Sequence, residues 1–355
     1  MNPLSFFIVC FLYFFSFILF YITYLAKQKS EKRAFINNLA NSIIFISSIT
    51  INLSIIHIIN PKNTRFIAFP FDVLFLLFII FFIPLFFILV IREKRKIERG
   101  KKNLEEIKSR LKILPLKYDI YRKLTHLVVL GIIFFYFTLG FLVQNVFRYL
   151  SEFLPNFFVE MFELGDDIMI FTQNLVVFLV GVSLIGLLTA DFTKILIPKY
   201  YPLKAVNQIL KEKELHMRLG PHISMSIGCF SIILLYGLIQ PIGPLIICTS
   251  MAMGVIGDTA SNLFGRTFGK RKIRDTNKTY EGLFAGVIVA FISGVVVLLT
   301  LRGFYIPKHF GLILMPVLGA LVIGIIDYLD LEIDDNLSFN FIVSTVLFFS
   351  SILLF

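Results

Sequence analysis

Charged residues are scarce in this sequence. Only 16% of its 355 residues are Asp, Glu, Lys or Arg, whereas soluble domains have roughly 25%. Hydrophobic residues make up 57% of the chain, above the roughly 45–50% that is typical of soluble domains. These two figures exclude a soluble globular domain, and the same hydrophobicity excludes an intrinsically disordered chain. The composition therefore predicts an integral membrane domain.

Cysteine is also rare, with three residues in the whole chain. Cys10, Cys229 and Cys248 all lie in apolar runs, and no two of them form a CxxC pair. This spacing excludes a disulfide framework and a cysteine-based metal site, and it leaves the redox compartment open.

Long apolar runs, in contrast, recur along the chain. A bilayer core about 30 Å thick requires roughly 20 apolar residues in a helix, because lipid cannot satisfy exposed backbone groups. The sequence therefore predicts an all-α, polytopic integral membrane helix bundle with about ten transmembrane helices. Their expected spans are 4–26, 35–59, 66–91, 124–143, 168–190, 222–239, 243–257, 282–301, 310–329 and 338–355. The second span is the least secure because several Asn and Ser residues make it polar, and the seventh is short.

The net charge of +11 indicates orientation rather than a nucleic-acid partner. Basic residues of membrane proteins concentrate in cytoplasmic loops. With the N-terminus outside, 29 of the 34 Lys and Arg residues fall in the cytoplasmic loops 27–34, 92–123, 191–221 and 258–281. We therefore expect both termini outside and no binding of nucleic acid.

The ionisable residues near the spans collect at their expected cytoplasmic ends, which suits a reaction at the membrane surface better than a permeation path. If the seventh helix continues past its apolar part, Asp258, Asn262, Gly265 and Gly269 share one face. An aspartate can hold a divalent cation, an asparagine can order an oxygen ligand, and glycines let phosphates approach the main chain. The alternatives are a helix end paired with a nearby Arg, and close helix packing at the glycines.

Basic residues follow this face before the segment ends with Lys278-Thr-Tyr-Glu-Gly282. Such side chains could neutralise a polyphosphate whose charge is spread over several oxygens. The segment is not a Walker A loop, because it has Arg271 where Ser or Thr should follow the lysine and it follows no strand. The basic residues are Arg266, Lys270, Arg271, Lys272, Arg274 and Lys278.

Five acids lie between Asp327 and Asn336, and no Lys or Arg occurs after Lys308. These carboxylates must therefore find solvent, a metal ion or basic groups from elsewhere in the chain, such as the loop after Gly265. The paired Asp334 and Asp335 rest directly on an apolar helix, where water alone is a poor partner for two carboxylates.

A third polar group stands at the start of the fourth span, in Arg122-Lys-Leu-Thr-His126. Anchoring at the cytoplasmic surface is the ordinary explanation for Arg122 and Lys123. His126 lies one turn further inside, where a neutral imidazole could bind phosphate or relay a proton.

Three ordered blocks now support a resemblance: Arg122–His126, the segment from Gly257 to Gly282, and Asp334-Asp-Asn-Leu337. With them the chain resembles the membrane-embedded, CTP-dependent dolichol kinase family, which includes phytol kinases and CTP-dependent diacylglycerol kinases. The resemblance covers roughly residues 118–355. It implies N-terminal transmembrane helices of unknown role over 1–91, a polybasic cytoplasmic linker over 92–121 and a catalytic membrane domain over 122–355.

The resemblance implies transfer of the γ-phosphoryl group from CTP to a membrane isoprenoid alcohol. Dolichol is the expected acceptor, which would give dolichyl phosphate at the cytoplasmic face of the endoplasmic reticulum or of a prokaryotic plasma membrane. A CTP-dependent diacylglycerol kinase or phytol kinase is the alternative within the same family. Asp258, with Asp334 or Asp335 or both, would bind the divalent cation, Mg²⁺ or Ca²⁺. The proton of the hydroxyl would go to His126 or to an aspartate that does not hold the metal.

The nucleotide site that the resemblance implies combines basic, amide and glycine residues from all three blocks. These are Arg122, Lys123, Asn262, Gly265, Arg266, Gly269, Lys270, Lys278, Glu281, Gly282 and Asn336. The chain is also similar to phosphatidate cytidylyltransferases around its Gly-Asp and Lys elements, so a cytidylyltransferase making a CDP-activated lipid is the alternative enzyme. A transporter is the alternative outside enzymes, although no paired broken helices point to one.

Overall fold

The computed structural model describes residues 2–59, 65–99, 131–132, 135–153, 168–203, 217–239, 242–274, 276, 278–301 and 311–354. Within these ranges the chain is almost entirely helical, and no β-strand forms. The helices are α1 (Pro3–Gln28), α2 (Lys32–Ile59), α3 (Phe71–Glu98), α4 (Gly140–Ser151), α5 (Ile168–Leu196), α6 (Pro221–Ile232), α7 (Ile242–Phe268), α8 (Tyr280–Leu301), α9 (Gly311–Leu329), α10 (Asp335–Ser338) and α11 (Ser344–Leu354). Single π-helical turns precede α4, extend α6 and join α10 to α11; they are Phe135–Leu139, Ile233–Gly237 and Phe339–Val343.

Eight helices in the described part of the chain are long and apolar enough to cross a membrane. They are α1, α2, α3, α5, α7, α8, α9 and the continuous stretch Asp335–Leu353. This confirms the prediction of an all-α, polytopic membrane helix bundle. The expected span 222–239 corresponds to the shorter apolar helix Pro221–Gly237. Of the expected span 124–143, residues 131–132 and 135–143 are described and are helical, and the others lie outside the described residues.

Two helices extend well beyond their expected ends. The apolar run of α7 ends at 257, but the helix continues to Phe268, which adds about 16 Å at 1.5 Å per residue. Likewise, α3 runs on to Glu98 although its span was expected to end at 91. A hydropathy profile shows where the apolar residues end. The helices differ from the expected spans because they continue past that point into polar sequence. The residues that follow Asp258 therefore lie on a helix rather than in a loop.

The chain divides into two compact units. Of the described residues, the first unit contains 2–59, 65–99, 177–203 and 217–227. The second contains 131–132, 135–153, 168–176, 228–239, 242–274, 276, 278–301 and 311–354. Residues 177–227 of the expected catalytic domain thus belong to the first unit. Every expected site residue that the structure describes belongs to the second.

In the first unit, the asparagines of α2 face the protein interior. Asn38 is fully buried, and its amide donates to the carbonyl of Met217 at 2.8 Å and accepts from the backbone N–H of Leu219 at 3.1 Å. Asn41 donates to the hydroxyl of Ser224 at 3.1 Å. Asn38 thereby satisfies two backbone groups of the non-helical segment before α6, and Asn41 satisfies a hydroxyl on α6 itself. Two of the residues that make this span polar therefore connect it to α6 and to the segment that precedes it.

A buried acid holds the start of α6 in the same unit. Asp191 forms an ion pair with Lys194, one turn further along α5, and accepts a hydrogen bond from the backbone N–H of Gly220 at 3.0 Å. Burial, together with the negative charge of Asp191, raises the pKa of Tyr201 well above its usual value. These contacts connect the end of α5 to the residue that precedes α6.

In the second unit, α7 and α8 pack closely along small residues. A methyl group added to Gly257 would lie 2.9 Å from the Cβ of Ala290, and one added to Gly286 would lie 2.8 Å from the Cβ of Ser261. Backbones can approach this closely only where side chains are small. The same packing brings the polar end of α7 to the start of α8 and to the end of α9, where the expected site residues lie.

Candidate functional site

Lys278 lies among three carboxylates near the end of α9. Its Nζ is 2.8 Å from Oδ1 of Asp327, 3.2 Å from Oδ1 of Asp330 and 3.1 Å from Oδ2 of Asp335. Asp327 belongs to the last turn of α9, Asp330 follows that helix and Asp335 begins α10. One lysine thus connects the loop before α8 to both sides of the turn between α9 and α10.

The surroundings of Lys278 raise its pKa. Burial by itself would lower the pKa of Lys278, because a buried ammonium loses its hydration. The negative charges of Asp335, Asp327 and Asp330 outweigh that effect and hold the pKa well above its usual value. Lys278 is therefore a permanent cation at neutral pH.

Asp327 is the most deeply buried of the three acids, with 9% of its side-chain surface exposed, against 29% for Asp335 and 43% for Asp330. Both of its oxygens are occupied. Oδ1 faces Lys278 at 2.8 Å, and Oδ2 accepts a hydrogen bond from the hydroxyl of Ser261 on α7 at 2.8 Å. Asp327 therefore holds the lysine, α7 and α9 together at one point.

The two adjacent acids at the start of α10 have different positions. Asp334 is the N-cap of this helix, and its Oδ1 accepts hydrogen bonds from the backbone N–H of Asn336 at 3.1 Å and from the side-chain amide of Asn336 at 2.6 Å. Asp335 instead contacts Lys278. Because Asp334 and Asn336 satisfy each other, the geometry favours Asp335 over Asp334 as the acid that faces a ligand.

Asp258 belongs to α7 and precedes Ser261, the partner of Asp327, by less than one helical turn. Lys278 connects Asp327 in turn to Asp335 at the start of α10. The stretches around residues 258 and 335, far apart in sequence, are therefore linked in the structure through Ser261, Asp327 and Lys278. Asn262 follows Asp258 by one turn on the same face of α7, and both side chains are partly exposed.

The basic residues after α7 form a short, exposed loop. The backbone N–H of Ile273 donates to the carbonyl of Lys278 at 2.9 Å, and that of Tyr280 donates to the carbonyl of Arg271 at 3.0 Å. These bonds fold the loop back on itself and carry Lys278 to the carboxylates. The exposed basic side chains of this region are Arg266, Lys270, Arg271, Lys272 and Arg274.

Glu281 closes this loop rather than facing outward as a ligand. Both of its carboxylate oxygens lie 3.3 Å from the backbone nitrogen of Arg271, which donates to them. Thr279 in turn accepts a hydrogen bond from the backbone N–H of Gly282 at 3.3 Å. Thr279, Glu281 and Gly282 thus fix the position at which α8 begins.

The glycines of the motif take part in helix packing. A methyl group on Gly282 would lie 2.6 Å from the carbonyl oxygen of Ser261 and 2.9 Å from the Cα of Gly265. A methyl group on Gly269 would lie 2.1 Å from the carbonyl oxygen of Gly265 and 2.5 Å from Oγ1 of Thr279. Neighbouring atoms therefore fill the space beside Gly265, Gly269 and Gly282. This geometry supports close packing at the three glycines rather than a phosphate-binding backbone.

A preformed metal centre is not seen in the part of the chain that the structure describes. No group of three or more His, Cys, Asp or Glu residues there is arranged to hold a metal ion. The donors are nonetheless of the right kind, since carboxylates are the ligands that Mg²⁺ and Ca²⁺ prefer. Asp335 and Asp258 supply two such carboxylates, the number with which Mg²⁺ is commonly held when water and phosphate oxygens complete its ligand shell.

Three of the expected site residues, Arg122, Lys123 and His126, lie outside the described residues. Conversely, Asp327, Asp330 and Ser261 belong to the cluster but were not among the expected site residues. The signal for the two acids was present in the sequence, because the acids after residue 327 have no basic residue downstream. Nothing in the sequence around Ser261 distinguishes it from other serines of apolar helices.

Comparison of the chain with family models, with curated proteins and with solved structures gives no match.

Proposed function

We propose that this protein is a CTP-dependent lipid kinase that transfers the γ-phosphoryl group of CTP to the hydroxyl of a membrane isoprenoid alcohol, with dolichol as the expected acceptor. The products would be dolichyl phosphate and CDP. The observation that carries the proposal is the contact of Lys278 with Asp327, Asp330 and Asp335 beside an exposed basic loop, in a bundle of membrane-spanning helices. Phosphoryl transfer relies on such positioned charges of both signs.

The basic residues would hold the triphosphate. Lys278, Arg266 and Lys270 would contact phosphate oxygens, with Arg122 and Lys123 contributed by the start of the fourth span. The exposure of Arg266 and Lys270 suits a nucleotide that arrives from water. Asn262, one turn from Asp258 on α7, would orient an oxygen ligand at the same place.

Asp258 and Asp335 would hold the divalent cation, which supplies positive charge to the phosphate oxygens. The proton of the lipid hydroxyl would pass to His126 or to an aspartate that does not hold the cation. Asp327 would keep Lys278 in position throughout. Asp334 would fix the start of α10 and so the direction in which Asp335 points.

From the distribution of Lys and Arg residues we propose that this site faces the cytoplasm and that both termini lie on the other side of the membrane. The membrane would be that of the endoplasmic reticulum or a prokaryotic plasma membrane. A cytoplasmic site would meet CTP in water, while the alcohol would reach it along the lipid-facing helices.

A reaction assay with the purified protein tests the proposal. Four nucleotides, each labelled at the γ-phosphate, are combined in turn with a polyprenol, a short isoprenol and diacylglycerol. We expect the label on the lipid with CTP and the polyprenol. Label in pyrophosphate would instead identify a cytidylyltransferase, and preference for diacylglycerol or the short isoprenol would change the acceptor. Absence of turnover with every pair would overturn the enzymatic proposal.

A further inference from the structure

Lys278 already occupies the carboxylate to which the divalent cation is assigned. Its Nζ lies 3.1 Å from Oδ2 of Asp335. Two positive charges a few ångströms apart repel strongly where water is partly excluded. A divalent cation at Asp335 therefore has to bind against the charge of Lys278.

The three contacts of Lys278 are not equivalent. Asp327 is the most buried and makes the shortest contact, at 2.8 Å, and its other oxygen is fixed by the hydroxyl of Ser261. Asp330 is 43% exposed and contacts the lysine at 3.2 Å, where solvent weakens the attraction. Asp335 is also less buried than Asp327, with 29% of its side chain exposed against 9%. Asp327 is thus the fixed partner, and the contacts to Asp330 and Asp335 are the ones that can be exchanged.

We propose that Lys278 and the divalent cation compete for Asp335, and that Asp327 is the positioning residue that retains the lysine when the cation takes its place. The exchange would free the ammonium from Asp335 and leave it available to the phosphates of the nucleotide. The cation would then bind far better together with the nucleotide than alone. This inference rests on the proposed function only in requiring a divalent cation at Asp258 and Asp335.

The test is a titration of the purified full-length chain with Mn²⁺ in the absence of nucleotide, with free Mn²⁺ measured by electron paramagnetic resonance. Lys278→Met should bind Mn²⁺ at least about tenfold more tightly than the unchanged protein, because the competing charge is gone. Lys278→Gln, measured in parallel, should show the same gain, so that a folding defect in one variant does not decide the result. Lys278→Arg, which keeps the charge, should bind about as weakly as the unchanged protein.

A matched control is Lys272→Met, which removes the same charge from an exposed side chain of the same loop and should leave the affinity for Mn²⁺ unchanged. Adding Asp335→Asn to Lys278→Met should abolish the gain. Equal or weaker Mn²⁺ binding by both Lys278→Met and Lys278→Gln would overturn the inference, as would a gain that survives loss of the Asp335 carboxylate.

The two proposals can fail separately. If the unchanged protein transfers no phosphoryl group but Lys278→Met still gains affinity for Mn²⁺ through Asp335, the proposed reaction is wrong and the competition stands. If phosphoryl transfer occurs and no gain is measured, the competition alone is wrong.

Discussion

Replacing Asp327 with Asn removes a negative charge from the centre of the cluster while it preserves the shape of the side chain. The carboxylate now accepts from Lys278 through one oxygen and from Ser261 through the other, each at 2.8 Å. An amide has only one oxygen, and its NH₂ group is a donor. Asn at this position can accept from Lys278 through its oxygen and donate to the Ser261 oxygen through its NH₂ group. The substitution therefore removes the negative charge beside Lys278 rather than both contacts.

The expected loss of stability follows from these contacts. Removing one partner of a buried ion pair costs about 3–5 kcal/mol when the other charge is left alone. Lys278 keeps Asp335 and Asp330, so the loss approaches the value of one hydrogen bond to a charged group, about 1.5–3 kcal/mol. We expect Asp327→Asn to lower the free energy of unfolding by about 2 kcal/mol. Ser261→Ala should cost less, about 1 kcal/mol, because the carboxylate keeps its lysine.

The assay is reversible unfolding in detergent, carried out as a double-mutant cycle with Asp327→Asn and Lys278→Met. Residues in direct contact show interaction energies of about 0.5–3 kcal/mol in such cycles. If the two substitutions were additive within about 0.3 kcal/mol, the ion pair would contribute nothing and the reasoning would be refuted. A second measurement separates a positioning role from a loss of stability: in the folded protein, Asp327→Asn should raise the KM for CTP. An unchanged KM would exclude a positioning role.

Three further outcomes are expected. Asp258→Asn should remove nearly all phosphoryl transfer while the protein inserts and unfolds normally, and turnover retained by the purified variant would exclude Asp258 from the site. Gly282→Ala should destabilise the protein by about 1–3 kcal/mol, because the added methyl group would lie 2.6 Å from the Ser261 carbonyl oxygen; a neutral effect on thermal unfolding would show that α7 and α8 can separate there. Asp334→Ala should cost about 1 kcal/mol as a lost helix cap and weaken Mn²⁺ binding less than Asp335→Asn does, because Asp334 acts only through the position of Asp335; a larger loss of Mn²⁺ affinity in Asp334→Ala would exchange their roles.

Hydropathy was sufficient to predict the bundle, because the cost of burying backbone polar groups in lipid leaves few alternatives to a helix. It was not sufficient for the ends of the helices. The apolar signal of α7 stops at 257, but backbone hydrogen bonding continues to Phe268. Ser261 lies on that extension and donates to Asp327. The position of Ser261 therefore depends on a polar helical segment that a hydropathy profile does not detect.

The glycines show why spacing alone was ambiguous. Gly265 and Gly269, four residues apart, are compatible with a phosphate-binding backbone and with close helix packing. Both interpretations require only the absence of a side chain. The choice depends on what lies opposite. The structure places Gly282 against Gly265, and Thr279 against Gly269, and both opposing residues come from a segment beyond the loop.

The adjacent acids of α10 illustrate a similar limit. Asp334 and Asp335 are chemically identical, and their roles separate only because the helix begins between them. The sequence placed the start of this span at 338, three residues too late, and so could not distinguish a cap from a ligand. A shift of one residue at a helix start turns a side chain by about 100°, which is enough to direct it toward or away from Lys278.

The pairing of Lys278 with the acids near α9 follows from a property of the whole chain. No Lys or Arg occurs after Lys308, and acids at the end of an apolar helix cannot remain buried without compensation. A cation from upstream was therefore one of three possible solutions, with water and a metal ion as the others. The structure uses the first solution for Asp327, which is deeply buried, and leaves Asp330 and Asp335 more exposed. The charge of Lys278 at the buried acid fixes the position of the lysine. Asp335, which is less buried than Asp327, is then the carboxylate at which a mobile cation would be exchanged.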